Sequence, residues 1–297
     1  MKQPVLTLVS APSKAALEPA RVRQLAAGLK ADRIEWLSPD EAADLYLPAG
    51  GDAASALKTG RGIFAGLPVD LAIQDATTRR KKALIADMDS TMIDQECIDE
   101  LAAEIGIKDR VAAITARAMN GEIAFEPALR ERVGLLRGLP ATIADTVLEN
   151  RITFASGGRT LIATMQAHGG WCALVSGGFT LFSQKVAAHL GFDTHRANTL
   201  LVHDGRLSGE VAEPILGSDA KVAALREFSA ARGLSPADFI AVGDGANDLP
   251  MLLAAGSGVA LHAKPAVADK AGIRIDHGDL TALLYLQGYR REDFATP

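Results

Sequence analysis

Cysteine is nearly absent. Cys97 and Cys172 are the only two in 297 residues, and no Cys-x-x-Cys spacing occurs. A disulfide framework and a cysteine zinc site are therefore both excluded. The six histidines are scattered, without a His-Glu-x-x-His pair, so a metal would have to be held by oxygen ligands. No apolar run approaches the ~18–20 residues of a membrane helix. The opening Met1-Lys2-Gln3 is followed by an apolar stretch that Thr7 and Ser10 interrupt. A signal peptide wants ~7–15 apolar residues there, and the expectation is a cytoplasmic chain without a membrane partner. Basic excess is lacking too: 31 Lys+Arg face 36 Asp+Glu, for a net charge of −5. Such a chain is a poor nucleic-acid binder. The one compact basic cluster, Arg79-Arg80-Lys81-Lys82, reads as a solvated linker or strand entry.

Several familiar motifs are also missing. No Gly-Lys dipeptide exists, so there is no P-loop. Gly243-Asp244-Gly245 lacks the third glycine of a dinucleotide fingerprint, and Leu174 stands where the elbow around Ser176 would need glycine. Apolar residues, by contrast, are plentiful. They make up 48% of the chain against 23% charged, enough for a packed core and, at this length, about two domains.

Along the chain, Pro4–Val9 reads as a strand and Ser13 as the cap of a helix running to Leu29. An apolar stretch at Ile34–Leu37, a helical stretch near Ala53–Lys58 and a strand-like Val69–Gln74 complete a βαβ-flavoured unit, and the polar Asp75–Lys82 marks a boundary. Residues 1–79 are thus expected to form an N-terminal α+β domain and 80–297 the remainder. Ala83–Ala86 is a short strand. Residues 94–155 carry apolar side chains at helical spacing and read as a helical insert. Strand and helix then alternate to the end, with Asp204-Gly205 marking a hairpin. That alternation predicts an α/β fold, a doubly wound parallel sheet with helices on both faces.

Function in such sheets lies at the carboxyl ends of the strands. Those ends carry Asp87 and Asp89, then Ser176-Gly177-Gly178, then Gly243-Asp244-Gly245-Ala246-Asn247-Asp248, with Lys221 in the first turn of the helix before the last strand. Taken singly, each is a turn, a loop or a solvated lysine. Taken together, so many carboxylates on one rim need a cation, and oxygen ligands imply Mg2+. The serine hydroxyl, the glycine backbone and the lysine would suit an oxyanion such as phosphate. A second Ser-Gly-Gly, at Ser156, follows no strand and reads as a helix cap.

These four strand-end motifs resemble those of the haloacid dehalogenase-like phosphatases. More narrowly, DMDSTMIDQECIDELA (87–102) and FEPALRERV (125–133) resemble the phosphoserine phosphatases, and the likeness covers about residues 80–290. The resemblance implies a core with a small helical cap and conversion of phosphoserine to serine, the last step of serine biosynthesis. It implies Asp87 as nucleophile and Asp89 as general acid, then base. Mg2+ would be held by the Asp87 carboxylate, the Asp89 carbonyl and Asp244, with Asp248 in support. Ser176, Gly177 and Lys221 would hold the phosphoryl oxygens and Asn247 would line the pocket. Glu96 would meet the substrate ammonium, Arg132 its carboxylate, and Phe125 would pack over it. By the same resemblance the N-terminal domain is ACT-like, with a regulatory or a homodimer-forming role. Three alternatives stay open: a same-fold phosphotransferase, a phosphatase of another small phosphomonoester, and a phospho-aspartate receiver. The receiver has neither an acid/base residue beside its acceptor nor a helical insert.

Overall fold

Apolar and β-branched residues make Pro4–Ser10 the first strand, β1. The following helix, α1 (Pro19–Leu29), starts not at Ser13 but at Pro19, a residue suited to the first helical position because its missing N–H needs no partner there. Ser13 instead sits in a turn with φ +61°. Next come β2 (Arg33–Ser38), β3 (Ala42–Tyr46), α2 (Ala53–Ile63) and β4 (Val69–Asp75). Asp52 caps α2, accepting from the Ala54 and Ser55 N–H groups at 3.0 and 3.1 Å. The four strands form an antiparallel sheet of order β2-β3-β1-β4, with Val5 opposite both Tyr46 and Gln74. Leu6, Leu8 and Leu45 build its core with Val22 and Leu25 of α1 and Ala56 of α2.

The computed structural model describes residues 3–119 and 122–296. Met1 and Lys2 of the signal-like opening, and residues 120, 121 and 297 of the expected domains, lie outside the described residues. Beyond β4 runs β5 (Ala83–Ala86), followed by the insert, whose helices are α3 (Cys97–Glu104), α4 (Lys108–Met119), α5 (Phe125–Gly134) and α6 (Ile143–Arg151). After α7 (Gly158–Ala167) come β6 (Trp171–Phe179), α8 (Thr180–Leu190), β7 (Thr194–Asn198), β8 (Leu200–His203) and β9 (Arg206–Val211). The β8–β9 hairpin turns at Asp204 and Gly205, both at positive φ. The chain closes with α9 (Ser218–Ala231), β10 (Phe239–Gly243), α10 (Leu249–Ala254), β11 (Ser257–Leu261), α11 (Pro265–Ala268), β12 (Ile273–Ile275) and α12 (Ala282–Leu286). A six-stranded sheet has the order β12-β11-β10-β5-β6-β7, with β10, β11 and β12 parallel and β6 parallel to β7. The winding reverses at β5, as the α/β alternation predicts. Among the described residues no helix is long and apolar enough to cross a membrane.

By its contacts the chain divides into two units. One comprises residues 1–84, 156–172 and 235–297, the other residues 85–155 and 173–234. Within the first unit, the N-terminal sheet is fastened to the C-terminal segment by buried polar groups. Asp70, 5% exposed, accepts from the backbone N–H groups of Asp276 (2.8 Å), His277 (3.0 Å) and Gly278 (2.7 Å). Removing that carboxylate takes the partner from three N–H donors, of which the Gly278 one is buried. Asp70→Ala should therefore cost about 2–3 kcal/mol, read as a lowered urea midpoint. A change below about 1 kcal/mol would mean that water reaches these donors.

The basic cluster leads straight into β5, as the strand-entry reading has it, but only half of it is solvated. Arg79 is buried and donates to Asp44 at 2.7 Å and to the Tyr46 hydroxyl at 3.1 Å. Lys81 is buried too, its ammonium on the Ala237 carbonyl at 3.0 Å. Arg80 reaches the Gly288 carbonyl and lies over the Tyr289 ring. Lys82, exposed like Arg80, pairs with Asp238. A fully buried carboxylate on β3 demands a counter-charge, and Arg79 supplies it. Nor does Ser156 cap α7. Its hydroxyl donates to Asp279 at 2.6 Å, and Gly157, at φ +80°, precedes the helix.

Candidate active site

Strand β5 is short and apolar, and its carboxyl end turns sharply. The Met88 carbonyl accepts from the N–H groups of Thr91, Met92 and Ile93. This turn leaves Asp87 buried at 5% exposure, and it puts Ser90 at φ +53°, a left-handed conformation. A residue with a Cβ adopts that conformation at a cost of about 1–2 kcal/mol.

In the second unit, one oxygen of Asp87 meets the Lys221 ammonium at 2.6 Å and also accepts from the Met88 N–H at 2.8 Å. Lys221 lies one residue into the second half of the first turn of α9 and is 2% exposed. Asp89 follows on the same turn, and its Oδ1 is buried without a hydrogen-bond partner among the described residues. Burial, reinforced by the Glu96 charge, pushes its carboxyl from 3.8 up to about 7, against the lowering pull of Cys97 and Lys221. A raised carboxyl favours the folded state while it stays protonated. Its contribution is complete below about pH 4, is lost as pH climbs towards 7, and stays lost above. With chelator present, Asp89→Asn should thus gain stability over the parent progressively from pH 4 to 7, with a plateau beyond. A pH-independent difference in urea midpoint would show that the carboxyl is not raised.

Ser176 and Gly177 stand towards the end of β6. The Ser176 hydroxyl accepts from the Gly178 N–H at 2.8 Å and is buried. A Cβ on Gly178 would come within 2.8 Å of an Asp89 carboxyl oxygen, so a larger residue there would push against that side chain. The half-exposed Phe125 ring lies over this loop, 3.9 Å from where a Gly177 Cβ would sit and 3.5 Å from one on Gly217. Glu96, exposed at the start of α3, accepts from the Ser90 hydroxyl at 2.8 Å. Arg132 on α5 is partly buried and donates to the Ala128 carbonyl and the Thr115 hydroxyl at 3.2 and 3.3 Å. Burial lowers its pKa, while the Asp99 and Glu96 charges support the cation.

In the first unit, the loop after β10 carries the remaining residues. Asp248 is fully buried and accepts from the Gly245 N–H at 2.9 Å. A Cβ on Gly243 would fall 2.5 Å from the Asp248 carboxyl carbon. Asp244 is half-buried and Asn247 exposed.

A family model of haloacid dehalogenase-like hydrolases matches residues 84–253. The chain belongs to this family. Haloacid dehalogenase-like phosphatases generally work with a metal ion. A phosphoserine phosphatase of Streptomyces coelicolor is 44% identical over 232 residues, which are 77% of this chain and 56% of that protein. The chain thus spans little more than half of that relative's length. Among solved structures, a hydrolase of this family from Salmonella enterica serovar Typhi superimposes with a TM-score of 0.86 at 29% identity. That match covers 96% of this chain and 98% of the other. A probable phosphoserine phosphatase from Vibrio cholerae gives 0.78 at 30% identity, over 98% and 88%.

The family motifs do not include Asn198, which the sequence places only at the start of a hairpin. It is 2% exposed at the end of β7, donates to the Gly177 and Leu216 carbonyls at 2.8 and 3.2 Å, and accepts from the Leu216 N–H at 2.7 Å. It ties the Ser176 loop to the segment that enters α9 and carries Lys221. Thr115 was also not singled out by motif, and Ser90, inside the DMDST motif, was given no role there. A strand-end asparagine, standing where an apolar residue would be buried, is the one signal that could have found Asn198.

Proposed function

We propose that this chain is a Mg2+-dependent phosphoserine phosphatase, releasing serine and phosphate through an aspartyl-phosphate on Asp87. One observation carries the reading: a buried carboxylate at the end of β5 held by a buried lysine, with a second carboxyl two residues on that burial pushes up to about 7. The Asp87 carboxylate attacks phosphorus, the bond to the serine oxygen breaks, and Asp89 gives that oxygen its proton. The Asp89 carboxylate then takes a proton from water, which attacks the same phosphorus and frees Asp87. A carboxyl titrating near 7 can serve both steps.

Ser176, Gly177 and Lys221 would hold the phosphoryl oxygens, and Asn247 would line the pocket. Glu96 would receive the ammonium and Arg132 the carboxylate, a pairing that suits a guanidinium fork, with Phe125 closing over the bound substrate. The name of the Streptomyces relative supports this substrate. The oxygen-only donor set of the Asp87 carboxylate, the Asp89 carbonyl and Asp244, with Asp248 in support, fits a hard cation. When bound, Mg2+ would offset the negative charge of the phosphoryl group. The buried thiols of Cys97 and Cys172, not joined in a disulfide, suit a reducing compartment, and we place the enzyme in the cytoplasm. Residues 1–79 we read as an ACT-like domain with a regulatory or dimer-forming role.

A phosphate-release screen of the purified chain over small phosphomonoesters, with and without Mg2+, tests the reading. Phosphoserine should rank first, and only with the metal. A better substrate without ammonium or carboxylate would overturn it.

A further inference from the structure

Ser90 occupies a position built for glycine. Its φ of +53° belongs to the left-handed region, and the turn around it is fixed by three N–H groups on one carbonyl. A side chain there opposes folding. The one hydrogen bond its hydroxyl donates goes to Glu96 Oε1 at 2.8 Å, on an exposed carboxylate. Such a bond, open to water, adds little stability. The strain is therefore not repaid in folding free energy.

What the bond does is fix a charge. Glu96 stands at the N-terminal cap position of α3, yet its side chain makes no capping bond to that helix. The Ser90 hydroxyl is the contact that orients it, taking one lone pair of Oε1 and leaving Oε2 to a ligand. We propose that Ser90 is a specificity-positioning residue, which holds the Glu96 carboxylate where it receives a substrate ammonium. This rests on the phosphoserine reading above and adds to it the group that aims the ammonium receptor.

The test compares the parent, Ser90→Gly and Ser90→Ala on phosphoserine and on 3-phosphooxypropanoate, which is phosphoserine without its ammonium. Both variants should raise KM for phosphoserine by about fivefold or more with kcat within about twofold, as for the loss of a bond that orients a charged group. The efficiency on 3-phosphooxypropanoate should stay within about twofold of the parent. Ser90→Gly should melt no lower than the parent, and Ser90→Ala lower than Ser90→Gly, because alanine keeps the strain without the bond. Equal losses on both substrates, or an unchanged KM for phosphoserine, would overturn the proposal. If the parent itself does not prefer phosphoserine over 3-phosphooxypropanoate, the reading of Glu96 fails and the role of Ser90 with it. If the parent prefers it and Ser90→Gly keeps the preference, only the role of Ser90 fails.

Discussion

Asp87→Asn should abolish turnover, by a factor on the order of 10^4 or more. The amide has nearly the same shape as the carboxylate, so it can keep the contact to the Met88 N–H and the turn after β5. It cannot, however, act as a nucleophile towards phosphorus. Circular dichroism should therefore be that of the parent, while phosphate release falls to background in a fresh preparation, before deamidation restores aspartate. Rapid-quench labelling should find no acid-stable phosphoryl group on the protein. More than a trace of genuine activity in that variant would take the nucleophile away from Asp87. The phosphatase reading would then need another acceptor.

The parts of this molecule legible in the sequence are those whose signal is local. Ala83–Ala86 ends in Asp87 and Asp89 over a few residues, Asp204-Gly205 is a hairpin turn by its own φ preferences, and the helical insert shows apolar spacing. The parallel core could be read from strand and helix alternation alone. What stayed hidden depends on distant partners. Arg79 looked solvated because the carboxylate that buries it, Asp44, lies 35 residues away on a strand with weak β propensity. That strand, Ala42–Tyr46, is held by its neighbours on both sides in the sheet. Ser13 and Ser156 carried the residue type of a helix cap without the geometry, since Pro19 and Gly157 decide where those helices begin. Asn198 acts through the Gly177 and Leu216 carbonyls, which no short pattern links to it. Side-chain chemistry at strand ends can be read locally, but the groups that hold it in place cannot.

Lys221 offers the second large effect, and it separates stability from chemistry. Lys221 and Asp87 are both buried and 2.6 Å apart, so truncating the lysine leaves a carboxylate in a low dielectric. With chelator present, Lys221→Met should cost about 3–5 kcal/mol of folding stability. Asp87→Asn/Lys221→Met should recover much of that loss, because the charge that needed the lysine is gone. Activity should behave otherwise. Removing a preorganised cation from the transferring phosphoryl group costs roughly 10^2–10^3 in kcat, and the double variant should be as dead as Asp87→Asn alone. Lys221→Arg should not rescue activity, since a guanidinium is too large for a side chain buried to 2% exposure. The checks are urea midpoints for the three variants, set beside single-turnover rates for Lys221→Met. If Lys221→Met and the double variant are equally stable, the pair is not coupled. Lys221 would then hold phosphate without holding Asp87.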